Sequence, residues 1–233
     1  MHALMNNGGF PLSDSQSNLN LEEVAYRSII RMILENRFRP GDTLLETELA
    51  VLLGLSRTPV SHALGRLVSG GFLQKRKKRG CIIPVPTGED ADQVFFARQV
   101  VESQAASTAA RNASPDEIKH LWDILDEQEK AIAQSNKELY SKTEEAFHLG
   151  IVQAGKNTLL ERFVRESFWH SNIYIFFFDS LYRGWGDSSI THHAPTEHRA
   201  ILQAIATHDA DGAARLMQDH IENVHAHLFK GWE

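Results

Sequence analysis

Apolar residues in the first third of the chain recur at helical spacing. Leu21, Val24, Ala25, Ile29, Ile30, Ile33 and Leu34 fall on one face of a helix that must stop before Pro40-Gly41. A second, short helix fits Glu46 to Leu53, with Gly54 as its left-handed cap. Ser56 is placed to cap a third helix, and Pro59 lies in that helix's first turn, where a missing N–H costs nothing. Val60, Ala63, Leu64, Leu67 and Val68 form its apolar stripe, and Gly70-Gly71 ends it. The period then changes, because FLQKRKKRGCIIPV predicts two short strands around a basic turn. Helix, helix, three-residue turn, helix and hairpin is the layout of a winged helix-turn-helix.

From Glu89 onward the pattern predicts six helices, 89–112, 115–135, 137–154, 158–182, 192–208 and 210–230, and no strand. Ser114-Pro115-Asp116-Glu117 reads as a helix start, while Gly155-Lys156-Asn157 and Arg183 to Asp187 read as breaks. Ile118, Leu121, Trp122, Leu125 and Ile132 make the apolar face of the second of these helices. The expected fold is mostly α: an N-terminal winged helix-turn-helix domain and a C-terminal all-α antiparallel bundle, able to enclose a cavity. Residues 1–19, rich in Gly, Asn and Ser, read as a flexible arm, 20–85 as the first domain and 86–233 as the second. The boundary falls near Pro84 to Gly88, where two prolines bar helix.

Charge sharpens this division. The 233 residues carry a net charge of −6, which taken whole argues against a polyanionic partner. Residues 20–85, however, hold 11 basic and 6 acidic side chains, while 86–233 hold 13 basic and 23 acidic. Ten of the twelve histidines also lie in the second part. A basic reader joined to an acidic module with another task fits these numbers. Arg57 and Thr58 open the third helix, where a recognition helix meets base edges and phosphates. Lys75 to Arg79 form a basic hairpin able to neutralise phosphates, and Arg79 could enter a minor groove. The sole cysteine, Cys81, allows no intrachain disulfide, which fits a reducing compartment. The longest apolar run, Ile173 to Phe178, is far short of the ~20 residues of a membrane helix, and the first twenty residues do not read as a secretory signal.

The stretch RPGDTLLETELAVLLGLSRTPVSHALGRLVSGGFL, followed by RGCIIP, resembles the DNA-binding domain of the GntR family of bacterial transcriptional regulators. Pro40-Gly41, Glu48-Leu49-Ala50, Leu55 to Val60, Ala63-Leu64, Arg66-Leu67, Gly71 and Gly80 carry the resemblance. It implies contacts to double-stranded operator DNA from Arg57, Thr58, Ser61, His62 and Arg66, and from the wing residues Lys77, Lys78, Arg79 and Gly80. Ser61-His62 stand where the family often has Arg-Glu, and Thr47 stands where it often has a basic residue, so the operator sequence is left open.

In the second part, Glu144 and His148 are four apart and reach one point from one helix face. His198 lies early in the fifth helix and His220 in the middle of the sixth, and a turn near 208–212 would bring them opposite one another. His227 is about 10 Å further along the axis than His220, and His225 points elsewhere. By spacing alone such histidines are more often ordinary core or surface residues. EEAFHLGIVQAGKN and EHRAILQAIATHDADGAARLMQDH, however, resemble motifs of the FCD ligand-binding domain of FadR-type GntR regulators. That resemblance implies a metal, zinc or else nickel, held by Glu144, His148, His198 and His220, with Glu144 in place of the family's usual Asp. Arg98 and Glu102 match an Arg-x-x-x-Glu of the same domain. Arg98 can fork onto an effector carboxylate, or the two can form a structural pair. His170 and Asn172 are further candidates for the cavity wall. The aromatics Phe168, Trp169, Tyr174, Phe176, Phe177 and Phe178 read as core and dimer surface.

The implied function is a cytoplasmic, homodimeric, non-enzymatic repressor whose operator binding responds to a small carboxylate metabolite. Two alternatives stand beside it: a metal-dependent hydrolase with Glu144 as general base, and a DNA-binding regulator whose metal is purely structural.

Overall fold

The computed structural model describes residues 14–34, 37–76, 80–85, 87–178 and 189–229. The reader domain contains α1 (Asp14–Leu34), β1 (Thr43–Leu44), α2 (Glu46–Leu53), α3 (Arg57–Ser69), β2 (Gln74–Lys75) and β3 (Cys81–Ile82). The sensor domain contains α4 (Gly88–Asn112), α5 (Pro115–Ala133), α6 (Lys137–Ala154), α7 (Thr158–Phe178), α8 (Ser189–Ala206) and α9 (Ala210–Phe229). Mostly helical, with nine helices among the described residues, the chain has the expected architecture.

Three local differences matter. The first helix starts at Asp14, within the stretch read as a flexible arm, and residues 1–13 lie outside the described residues. Its buried face is Ala25, Ile29, Met32 and Ile33, while Leu21 and Val24 are exposed. The wing has a third strand, since β1 pairs antiparallel with β3 (Leu44 opposite Cys81) in a sheet of order β1-β3-β2. Two residues are too few to show an alternating pattern, so β1 left no trace in the sequence. The breaks expected at Arg183 to Asp187 lie outside the described residues, as do the side chains of Trp169, Phe176, Phe177 and Phe178. Phe168 and Tyr174 are buried, as expected.

The turn between α2 and α3 is built as anticipated. Gly54 takes φ 64°, and Ser56 holds the extended N-cap conformation without a side-chain cap hydrogen bond. Pro59, Val60, Ala63, Leu64 and Leu67 then turn inward. At the wing, Gly80 has φ +75°, and a Cβ there would lie 2.5 Å from the Leu44 carbonyl oxygen, so only glycine lets β1 approach. Ser114 and Glu117 form a reciprocal capping box at the start of α5.

The two domains share packing. The reader's core around Ile29, Ile33 and Leu67 continues into Ala131 of α5 and Tyr140 of α6, both buried. Arg31 of α1 lies 3.3 Å from Glu138 of α6 across the same seam. The sensor's own core forms where α4 packs along α9, with Phe95, Ala106, Ile201, Met217 and Ile221 among its members.

Candidate metal centre and DNA-reading face

Six helices converge on a buried cluster in the sensor. Arg98 and Glu102 come from α4, Gln128 from α5, Glu144 and His148 from α6, Ser171 from α7, Glu197 and His198 from α8, and His220 from α9. The three histidines are at most 2% exposed, and one ligand nitrogen from each lies within 4.8 Å of the others.

Hydrogen bonds fix which nitrogen that is. His148 Nδ1 lies 2.5 Å from Glu102 Oε2, and His220 Nδ1 lies 2.7 Å from Glu197 Oε2. His198 Nδ1 is 3.0 Å from Gln128 Oε1. A carboxylate or amide oxygen can only accept, so each Nδ1 carries a proton and Nε2 is the nitrogen left to face a shared ion. The Nε2 atoms of His198 and His220 face one another at 3.2 Å. That spacing matches the edge of about 3.3 Å expected for two nitrogens on one tetrahedral zinc at about 2.05 Å. The donor set therefore fits a borderline transition metal, and each ligand is backed by a group that fixes its tautomer and orientation.

The four residues proposed as ligands are not equivalent. Glu144 sits at the edge of the cluster, with Oε2 3.9 Å from His148 Nε2 and Oε1 3.8 Å from His198 Nδ1. It accepts a hydrogen bond from Gln128 Nε2 and lies outside the converging set of three. Gln128 and Glu197 were missed. Gln128 lies in no quoted motif, and Glu197 opens the stretch EHRAILQAIATHDADGAARLMQDH beside His198 without being marked as a support.

Arg98 and Glu102 form the buried i,i+4 pair that was one of their two readings. Arg98 Nε donates to Glu102 at 2.6 Å while the other carboxylate oxygen serves His148. A further N–H of Arg98 reaches Ser171 Oγ at 2.9 Å, and its guanidinium lies 5.0 Å from the Phe168 ring centroid. Phe147 stacks on His198 at 4.2 Å. Asn172 is buried on α7. His170 is not in this cluster. It points to the opposite side of α7 from Phe168 and Ser171, toward Asp90 and Gly71, which corrects its placement at the cavity wall. Because α7 is aromatic on every side, the sequence did not show which face turns inward.

Burial pushes the pKa of His148 below the ordinary imidazole value and that of His198 well below it, so both rest neutral and ready to ligate. Burial opposes the charge on Glu102 as well, but Arg98 and His148 outweigh it and hold that carboxyl at about 2. All three groups have folded-state values below their unfolded ones. Their contribution is complete above pH 6.5 and is lost as pH falls, first through the histidines and then through Glu102 between about 4.5 and 2. The metal-free protein is accordingly expected to show a lower urea midpoint at pH 5 than at pH 7. A flat profile would show that these histidines are not held neutral by burial.

On the reader, Arg57, Thr58, Ser61 and His62 lie on the exposed face of α3. Arg57 Nε is held 2.7 Å from Glu46 Oε1, and His62 Nδ1 is 3.5 Å from Glu22. Arg66, one turn beyond His62, is exposed as well. It bonds Glu22 and Glu23 of α1 and lies 4.1 Å over the Tyr26 ring, so its structural role is to clamp α3 to α1. It lines an interdomain groove of about 1090 Å³ between α1, α3, α6 and α7. Lys77, Lys78 and Arg79 lie outside the described residues.

The profile of the gntR family of bacterial regulatory proteins matches residues 21–83, and that of the FCD domain matches residues 93–223. The chain belongs to the GntR family, in its FCD-containing branch. It is 30% identical over 223 residues to the Uxu operon transcriptional regulator of Escherichia coli, covering 85% of this chain and 83% of that protein. It is 28% identical to the regulator YdhC of Bacillus subtilis, covering 87% of this chain and 88% of that one. Its fold is that of E. coli McbR/YncC, at a TM-score of 0.77 and 20% identity over 93% of this chain and 98% of the other. The GntR domain implies DNA binding and the FCD domain suggests a small-molecule ligand. Among the described residues no helix is long and apolar enough to cross a membrane.

Proposed function

We propose that this GntR regulator is a homodimeric, cytoplasmic repressor whose operator affinity is set by a small carboxylate at a metal centre in the sensor. The observation that carries this reading is the convergence of three buried histidines, with one ligand nitrogen of each within 4.8 Å of the others and the Nε2 atoms of His198 and His220 3.2 Å apart. Zinc is the metal best suited to this donor set, with nickel second. His148, His198 and His220 are its ligands, and Glu144, with Oε2 3.9 Å from His148 Nε2, stands beside them. The bound metal supplies a Lewis-acid position for a carboxylate oxygen, and Arg98 is the cation beside it that can fork onto the same group. Glu102 and Ser171 hold Arg98 in place for this.

Dimerisation has a natural surface. Phe96 and Val100 of α4, and Leu159 and Phe163 of α7, are more than half exposed on two helices that pack against one another. Covering them with a second copy would place two recognition helices for a pseudo-palindromic site. Arg57, Thr58, Ser61 and His62 are the base and phosphate contacts on each, with the wing residues Lys77, Lys78, Arg79 and Gly80 at the flanking groove.

The test is operator binding by the full chain, metal-loaded and chelator-stripped, titrated with hydroxy, keto and sugar acids. A productive acid is expected to weaken binding by about fivefold or more while remaining chemically unchanged. Turnover of the acid would favour the hydrolase reading. A metal that binds while no acid changes affinity would favour a purely structural metal.

A further inference from the structure

We propose that His170 is a positioning residue through which the histidine centre acts on the recognition helix. The proposal rests on the reading that the three histidines hold a metal, and it adds the route by which that site reaches DNA.

Helix α7 touches both ends of the route. Its inner face carries Phe168, whose ring lies 5.2 Å from that of His148, and Ser171, which accepts from Arg98. Contacts run without a gap from His148 Nδ1 to Glu102 (2.5 Å), from Glu102 to Arg98 (2.6 Å) and from Arg98 to Ser171 (2.9 Å). On the other side of the same turn, the His170 imidazole lies against Gly71, close enough that a Cβ there would sit 3.7 Å from its ring. Asp90 in the first turn of α4 steadies this imidazole from the sensor side, with Oδ2 3.4 Å from Nε2, and Tyr174 donates a hydrogen bond to the same carboxylate oxygen. The His170 and Tyr174 rings are stacked nearly parallel, 16° apart.

Gly71 lies just beyond the end of α3, next to its C-cap Gly70. Its φ of +76° is one that a side chain would strain. The amides of Gly71, Phe72 and Leu73 close the end of α3 onto the carbonyls of Val68 and Leu67. His170 thus faces Gly71, two residues past the end of α3, while Ser171, the next residue, belongs to the cluster's hydrogen-bond chain. One helical turn rises only about 5.4 Å, and helices slide as packed bodies. Drawing His148 toward an ion, or Arg98 toward a carboxylate, cannot shift Ser171 without shifting His170. Contiguity makes coupling possible, and its size is what an experiment must read.

Hydrogen–deuterium exchange on the full chain reads it without knowledge of operator or effector. Zinc alone is the probe, compared with chelator-stripped protein, and zinc affinity is measured in parallel by competition with a chromophoric chelator. In the unaltered chain, zinc is expected to change exchange at residues 71–73 by about fivefold or more. His170→Ala, and independently Asp90→Asn, should keep zinc affinity and melting temperature while reducing that change to less than about twofold. Tight zinc binding with no change at residues 71–73, or a full change in both variants, would overturn the proposal. Absence of zinc binding by the unaltered chain would appear in the competition titration itself, refuting the metal reading and the coupling together.

Discussion

Replacing His148 and His220 together by alanine is expected to reduce bound zinc from about one ion per chain to background, because one imidazole and a partly exposed Glu144 cannot hold it. The physical basis is the convergence of lone pairs. Glu102, Gln128 and Glu197 each accept a hydrogen bond from Nδ1 of one histidine, which leaves Nε2 as the nitrogen available to a shared ion. Zinc content of the purified double variant, read by atomic absorption beside a circular dichroism spectrum, checks this. Retained zinc in a folded variant would place the metal elsewhere. Operator binding should survive in this variant but lose its response to added acid, since the reader's core and recognition face share no residue with the metal cluster.

Substituting Arg57 by alanine has the opposite profile. A good bidentate base contact is worth about 1–3 kcal/mol, and a dimer loses one per half-site, so specific affinity should fall by about thirtyfold or more. Arg57 is 70% exposed at the first position of α3 and is steadied by Glu46, so the fold does not depend on it. Zinc content and melting temperature are expected to stay unchanged. Fluorescence anisotropy with an operator duplex selected from random-sequence DNA measures the loss, and undiminished binding would remove α3 from the role of recognition helix. Arg66→Ala should behave differently, because that side chain clamps α3 to α1 through Glu22, Glu23 and Tyr26.

The contrast between these two arginines shows where the sequence stops being informative. The apolar stripe Val60, Ala63, Leu64, Leu67 specifies the inner face of α3, but it does not say which edge of the outer face α1 will cover. Arg57 and Arg66 therefore looked alike. The sensor helices were readable from their period and their caps, down to the Ser114–Glu117 box. Strand β1 was not, since it exists only through its pairing with β3. The turn near 208–212 sets His198 opposite His220, but spacing does not join His148 to them, and the family resemblance did. That resemblance named the ligands but not their supports. Gln128 and Glu197 became visible once three different helices were seen to deliver their side chains to one buried point. His170, named with Asn172 as a candidate for the cavity wall, lies instead beside Gly71 and Asp90.

The net charge of −6 is consistent with this two-part molecule, since its acidic surplus lies in the sensor and the recognition face belongs to the basic reader. What joins them is a shared core at Ala131 and Tyr140, an ion pair from Arg31 to Glu138, and the contact of His170 with Gly71. Control of DNA binding by a bound acid depends on the buried histidine cluster being a metal centre. Anomalous diffraction from crystals of the full chain, collected above and below the zinc edge, measures this directly. The predicted result is one anomalous peak about 2.0–2.2 Å from Nε2 of His148, His198 and His220. Ordered imidazoles with no peak between them, or a peak bound elsewhere, would contradict it.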